Sequence, residues 1–422
     1  MSTRTRVNRI NNVSGTPWLW VPTLYIAEGI PYFIVTVLSI ALFKDLGESN
    51  TRIALFTSLI TFPWVIKPLW SPFVDVIRTK RWWVIWMQVM MCVSVGLLAW
   101  LAPKGYFTIA LVLFTITAFA SATHDIAADG YYMLALTDKQ QSAFVGIRST
   151  FYKLANIFCQ SVLLVLVGVL SRKTSVTFGW TFTLLLCSAI LALIALWHVW
   201  AMPKSEVTAV PNSSSCGIWN SIGEAWATFF QKKGIILALC FMLLYRLPEA
   251  LLLKMELPFL HDSMEVGGLG LTQDMIGLLN FIAIGLMLLG GIAGGLVASK
   301  YGLKKVMLWM CLMLTLPCIV YCYMSIVQPV EFWKIAACIG FEQLGYGLGY
   351  TACMLYMIYF ADGQYKTAHF SICTAFMFLG LMLPGLVAGW IADHIGYINF
   401  FWMVMFCCIP SILITLIVQR KL

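Results

Sequence analysis

The sequence predicts an all-α membrane protein: twelve transmembrane helices in two six-helix bundles, with both termini on the cytoplasmic side. Three observations carry that expectation. The 422 residues are 61% hydrophobic and only 11% charged, with mean hydropathy +0.87, whereas soluble domains hold about 25% charged residues. Twelve apolar windows are each long enough to span a bilayer. The basic residues fall mostly on one side of the resulting topology.

The first six windows begin near Trp18, Arg52, Trp82, Tyr106, Ser142 and Thr177. The other six begin near Gly234, Thr272, Lys305, Phe332, Thr367 and Tyr397. Between the sets lies a polar interval whose KSEVTAVPNSSSCG portion has the composition of a linker. The expected organisation is therefore a first bundle over 1–203, a cytoplasmic linker over 204–232 and a second bundle over 233–422.

With both termini inside, sixteen of the 27 Lys and Arg residues lie on the cytoplasmic side, among them Arg4, Arg6, Arg9, Arg78, Lys80 and Arg81. Six lie outside and five within spans. Topology thus accounts for the formal charge of +9, and no nucleic-acid partner is expected. The basic N-terminus leads straight into the first span, which is expected to serve as its own anchor.

The two halves echo one another. An offset of 223 places Arg81 on Lys304, Trp86 on Trp309 and Met87 on Met310. The loops concerned, DVIRTKRWWVIWM and KYGLKKVMLWM, each join the second and third spans of their half. Six plus six spans with a repeated basic loop is the organisation of parallel-repeat transporters, which bind solute near the midplane between two rocking bundles.

The thirteen cysteines have no CxxC or zinc-ligand spacing, and those in the apolar runs, such as Cys92, Cys159, Cys187, Cys311 and Cys338, read as small buried hydrophobes. No metal site and no cofactor are expected. GxSxG, HExxH and P-loop strings are absent, which leaves no ATP-driven pump encoded on this chain.

The chemistry is expected inside the membrane. Lys67, Arg148, Lys153, Arg246 and Lys254 lie within spans, as do Glu28, Asp125, Asp129, Glu249, Glu256 and Glu342. Near-equal numbers imply pairing, because an isolated charge at the bilayer centre costs roughly 2.5–3.5 kcal/mol or more. Each such residue either faces a solute cavity or pins helices together. Span one carries YIAEGIPYF, where Gly29 and Pro31 permit a kink beside Glu28, and span two carries Lys67 among Pro63, Pro68 and Pro72.

In span four, Asp125 and Asp129 are four apart and share a helix face. Asp129 with Arg148 or Arg81 is expected as a cytoplasmic gate pair, while the deeper Asp125, with Lys67, is the expected solute or proton-coupling element. Arg246 and Glu249, three apart, can pair along one helix. Lys254 and Glu256, two apart, cannot, so each needs a partner elsewhere. Gly290, Gly291, Gly294 and Gly295 form overlapping GxxxG patterns that read as helix packing. Trp18, Trp20, Trp82 and Trp83 read as interfacial anchors. Trp64, Trp70, Tyr131 and Tyr132 lie nearer the charges and could stack on a sugar.

Several strings together, YIAEGIPYF, IKPLWSPFVD, SATHDIAADG, LYRLPEAL, FEQLGYGLG and LPGLVAGW, run in order across nearly the whole chain. They resemble the peptide–acetyl-coenzyme A transporter family of the major facilitator superfamily, and within it the AmpG-type muropeptide permeases. The resemblance implies the major facilitator fold and a multi-pass permease of the bacterial cytoplasmic membrane. It implies proton-coupled import of anhydromuropeptides built on N-acetylglucosaminyl-anhydro-N-acetylmuramic acid, as in peptidoglycan recycling. It also implies motif roles for Lys67 and Asp75 in span two, Asp125 and Asp129 in span four, and Glu342 in span ten, with Asp75 and Arg81 joining the gate. His124 stands where the family usually has Gln, and Gln343 where Asn is common.

Three rivals remain open at this stage. One is transport of acetyl-coenzyme A or another anionic conjugate, and another is a non-transporting sensor. A third is an integral-membrane acyltransferase using His124 and Asp129, since HDIAAD matches an H-x4-D pattern. Two fixed letters are a weak match, and a buried His more often makes one hydrogen bond than a reaction. The expected partners are a small solute, protons and the lipid bilayer, with the protein acting as a monomer.

Overall fold

A computed structural model describes residues 16–136, 138–204, 223–224, 226–362 and 366–421. The N-terminal arginines and most of the linker lie outside the described residues. The described residues are predominantly helical, and a helix begins within a few residues of most of the apolar windows. The first half holds α1 (Pro17–Asp45), α2 (Asn50–Leu59 and Phe62–Val76), α3 (Lys80–Lys104), α4 (Phe107–Ala135), α5 (Asp138–Ile157, continuing to Leu164–Lys173) and α6 (Val176–Ala201). The second half holds α7 (Ile235–His261), α8 (Gln273–Tyr301), α9 (Leu303–Val327), α10 (Phe332–Phe360) and α11 (Lys366–Lys421).

Among the described residues, ten helices are long and apolar enough to cross a membrane. α10 is not one of them. α11 bends at Gly396, where φ is +75° and the chain leaves helical geometry.

Local sequence sets the starts and bends. Ser49, Thr79 and Ser175 cap helices by accepting from backbone N–H groups three residues on. The chain breaks before Pro63 and resumes with proline in its first turn. After Pro31, α1 widens into a π-helical turn at Ile34–Leu38, and α5 does the same at Phe158–Leu163. Both sit in the middle of their helices, where bends shape a cavity. Lys232, ahead of α7, donates to the carbonyls of Phe360 (2.6 Å) and Asp362 (2.7 Å), tying off the end of α10. Burial there holds its ammonium below the usual lysine range.

The exterior is apolar. Leu196, Trp200, Ile236, Trp333 and Phe406 are each at least two-thirds exposed, a surface that suits lipid rather than water. Trp18 and Trp82 are also exposed, but Trp20 is buried, edge-on to Tyr131 at 4.9 Å between ring centroids. It belongs to the core and not to an interfacial belt.

The buried residues separate the two ends of the molecule. One large cluster joins both halves around the loop at 46–49, including Phe43, Ile53, Leu257, Leu271 and Phe400. Towards the chain termini the halves have separate cores, one around Tyr25, Tyr131 and Phe144 and another around Phe241, Met307 and Tyr356. Within the second half Gly290 and Gly294 pack as their GxxxG spacing predicts, while Gly295 faces open space. A Cβ on Gly290 would lie 2.2 Å from the Leu344 carbonyl oxygen, so α8 and α10 pack backbone to backbone.

Candidate functional site: a cavity between the two halves

A cavity of about 670 Å³ lies between the halves. That is within the range of small-molecule sites. Tyr32, Trp64, Tyr152, Asn156 and Gln160 line it from the first half. Asn280, Gln343, Tyr346 and Tyr350 line it from the second, together with Arg246, Glu249, Lys254, Glu256 and Glu342. The wall therefore combines phenol and indole faces with carboxamides, the groups that stack on and hydrogen-bond to sugars and peptides.

The charges sort into pairs and remainders. Arg246 is engaged by Glu249 through two parallel hydrogen bonds, Nε to Oε2 at 2.6 Å and Nη2 to Oε1, and it also donates to Tyr346 Oη at 3.2 Å. Lys67 pairs with Asp125, and Arg148 pairs with Asp129 at 2.8 Å. Lys153 lines the cavity with its side chain exposed. Lys254 is buried, and its one polar partner among the described residues is Thr57 Oγ1 at 3.3 Å.

Three carboxylates have no cationic partner among the described residues. Glu28 keeps one oxygen buried and unbonded in the first half. Glu342 is buried, accepts from Gln343 Nε2 at 3.0 Å, and shares the cavity wall with Glu256.

Opposite the termini the cavity is sealed by contacts between the halves. Lys44 meets Asp262 at 2.7 Å, and His261 Nε2 lies 3.1 Å from Asp45 Oδ1. Gln273 donates to the same Asp45 oxygen at 2.8 Å, and Arg172 reaches Asp274 at 2.5 Å. Thr51 donates both its N–H (2.7 Å) and its hydroxyl (2.6 Å) to Asp393. Glycines bring backbones together on this face: a Cβ on Gly389 would lie 1.9 Å from Asn50 O, and one on Gly168 2.4 Å from Asp274 N.

Two helical halves around one cavity whose wall carries charged and aromatic side chains suggest a comparison with transporters. The family profile of the Major Facilitator Superfamily matches residues 24–268 and 257–421. The chain belongs to the Major Facilitator Superfamily. Its relatives include the anhydromuropeptide permease of Escherichia coli K12, 22% identical over 374 residues covering 87% of this chain and 72% of the relative. An uncharacterized protein of Haemophilus influenzae is 23% identical over 402 residues, covering 92% and 90%. Among solved structures, the nucleoside transporter NupG superposes with a TM-score of 0.70 at 15% identity, covering 95% of this chain and 98% of that one. The D-xylose-proton symporter gives 0.69 at 12% identity, covering 94% and 95%. These structures share the fold, and the Escherichia coli relative is a permease rather than an enzyme.

In this superfamily member the residues singled out in the sequence divide by position. Arg246, Glu249, Lys254, Glu256, Glu342 and Trp64 line the cavity. Glu28, Lys67, Asp125, Asp129 and Arg148 do not; they form a charged group inside the first half, where Tyr25 also donates to Asp129 at 3.1 Å. Of the two partners considered for Asp129, Arg148 is the one in contact. Arg81 donates instead to the carbonyls of Met202 (3.0 Å) and Val199 (2.6 Å). The side chain of Asp75 lies outside the described residues.

The aromatic residues divide too. Trp70 packs against Phe119, Tyr131 donates to Pro203 O at 3.1 Å, and Tyr132 stands edge-on to Tyr25. All three are packing residues of the first half. His124 Nε2 contacts the Gln88 amide at 2.9 Å, and Gln88 continues to His198 and thence to Thr23. His124 thus belongs to a buried polar chain, while Asp129 is occupied by Arg148, so the two do not form a base and its orienting acid.

Sequence reasoning did not find the cavity amides, Asn156, Gln160 and Asn280, or the sealed-face residues Lys44, Asp45, His261, Asp262 and Asp393. The latter sit at helix ends, where polar residues are ordinary, and only the fold pairs them over hundreds of positions. A polar residue interrupting an apolar run was the available signal for the amides.

Proposed function

We propose that this protein is a proton-coupled importer of anhydromuropeptides or related amino-sugar cell-wall fragments, acting as a monomer in the bacterial cytoplasmic membrane. The observation that carries the reading is the cavity wall: tyrosines and carboxamides around one buried, carboxylate-free lysine and an uncompensated pair of glutamates. Such a wall suits a sugar bearing a short peptide, whose N-acetylated sugar part is neutral and whose peptide carries the free carboxylates. The name of the Escherichia coli relative agrees with it. A polyanion such as acetyl-coenzyme A fits less well, because three of the cavity's six intramembrane charged side chains, Glu249, Glu256 and Glu342, are carboxylates and one of its three cations, Arg246, is already paired with Glu249.

The reading includes twelve crossings with both termini in the cytoplasm, in bundles over 1–203 and 233–422 joined by the linker 204–232. The two arms of α11 supply the last two crossings, since 54 residues of helix extend about 80 Å, far beyond one bilayer. The sealed face is then the outer gate. Asp129 with Arg148 holds α4 to α5 at the inner end, where Asp75 and Arg81 join the moving surface.

The test is uptake into proteoliposomes with an imposed pH gradient, offering anhydromuropeptide and acetyl-coenzyme A side by side. Accumulation of the muropeptide with acid outside is the expected result. Absence of gradient-driven uptake of the muropeptide would remove the reading.

A further inference from the structure

We infer that Lys254 is the receptor for a carboxylate of the solute, placed where the solute's arrival joins the two halves of the protein; this rests on the muropeptide reading above. Lys67, Arg148 and Arg246 each have a carboxylate, and Lys153 is exposed. Lys254 is only 8% exposed and, among the described residues, has no carboxylate within ion-pair distance. A buried ammonium left without a counter-charge is the most costly arrangement of all, and it persists where a ligand completes it.

The donor count points the same way. An ammonium has three N–H donors and no acceptor. Thr57 fills one of them, accepting from Lys254 at 3.3 Å while its own hydroxyl donates to Ile53 O at 2.7 Å. Two donors remain, and Lys254 lines the cavity. The missing group is therefore an acceptor, and an anionic one, since charge-assisted hydrogen bonds are about twice as strong as neutral ones.

The surroundings make this a junction. Thr57 belongs to α2 of the first half and Lys254 to α7 of the second. The stem of Lys254 runs over Gly385 of α11: a Cβ there would come within 3.3 Å of Lys254 Cε and Cγ and 2.6 Å of Ser58 Oγ. Ser58 Oγ is itself buried and without a partner. A carboxylate on Lys254 thus bears on three helices from both halves.

The probe is N-acetylglucosaminyl-anhydro-N-acetylmuramic acid, which carries a single carboxyl group, against its carboxamide. Binding of each to the purified full-length protein in nanodiscs is measured together with the melting temperature. The wild type is expected to bind the acid at least about tenfold more tightly than the amide, as a hydrogen-bonded charge pair requires. Lys254→Gln should bring that ratio to within about twofold while raising the melting temperature, because it removes an uncompensated buried charge. Lys254→Arg should keep part of the preference. Retention of the acid preference in Lys254→Gln, or its absence in the wild type, overturns the inference and leaves the muropeptide reading standing. So does a fall in melting temperature with equal loss of both affinities, the mark of a structural lysine. Wild-type protein that binds neither form overturns both.

Discussion

Lys44, at the end of α1, places its ammonium 2.7 Å from the carboxylate of Asp262, just beyond α7. The pair crosses between the halves of the protein, and Tyr397 Oη donates to the same aspartate at 2.6 Å. Charges that meet only when a face is shut act as a latch whose strength sets how often it opens. Lys44→Glu should therefore slow uptake by disturbing the sealed state, and adding Asp262→Lys should recover much of the lost rate. A double-mutant cycle on initial rates is expected to show coupling of about 1 kcal/mol or more. Additive losses would mean that the two side chains are neighbours without a shared role.

Backbone contact on the same face makes a steric prediction. Gly277 of α8 approaches α5 so closely that a Cβ would lie 2.7 Å from Ser161 O. Gly277→Leu should wedge the halves apart, raising the reactivity of a cysteine introduced at Thr36 of the cavity towards a reagent added from the 46–49 side. Gly290→Ala is the contrasting case, since its clash is with Leu344 O inside one half. It should lower the melting temperature without changing which side is labelled. Identical behaviour of the two variants would sink the distinction between hinge face and bundle core.

Much of this organisation was legible in the sequence, for definable reasons. Helix positions follow from apolar runs, because a spanning segment must satisfy its backbone internally. Arg246 with Glu249 was legible because three residues of helix bring them to one face. Asp129 with Arg148 was half-legible: adjacent spans put them at the same end, but Arg81 was equally near in the topology. Azimuth was not legible, since the sequence gives a residue's height in the membrane but not the direction it faces: Tyr131 is fully buried in the core of the first half, and Asp125 is paired with Lys67. Lys254 and Thr57 lie nearly two hundred positions apart, and nothing local joins them.

Arg246 and Glu249 provide a stability test. Both are buried, and the guanidinium is held by two parallel bonds. Removing one partner of a buried pair typically costs about 3–5 kcal/mol, whereas replacing both by apolar residues is close to neutral. Arg246→Met alone should lower the melting temperature markedly, and Arg246→Met with Glu249→Met should restore most of it. Because the pair is self-contained, the double variant is expected to keep measurable solute binding. If the double variant is stable yet binds nothing, the pair contacts solute directly.

The last prediction separates two sites for the proposed proton. Asp125 is committed to Lys67 within the first half. Glu342 faces the cavity beside Glu256, and among the described residues neither has a cation to hold its charge. A carboxylate that must exchange its proton as the cavity changes sides is better served by the second arrangement, where no ammonium fixes the ionised form. Glu342→Gln should thus abolish accumulation driven by a pH gradient while leaving counterflow exchange of solute intact, with the melting temperature unchanged or raised. Asp125→Asn should instead lower the melting temperature, because it strands Lys67, and the transport that survives should still respond to the gradient. The reverse pattern, a stable Asp125→Asn protein that exchanges but no longer accumulates, would move the coupling role to Asp125 and leave Glu342 as a solute contact.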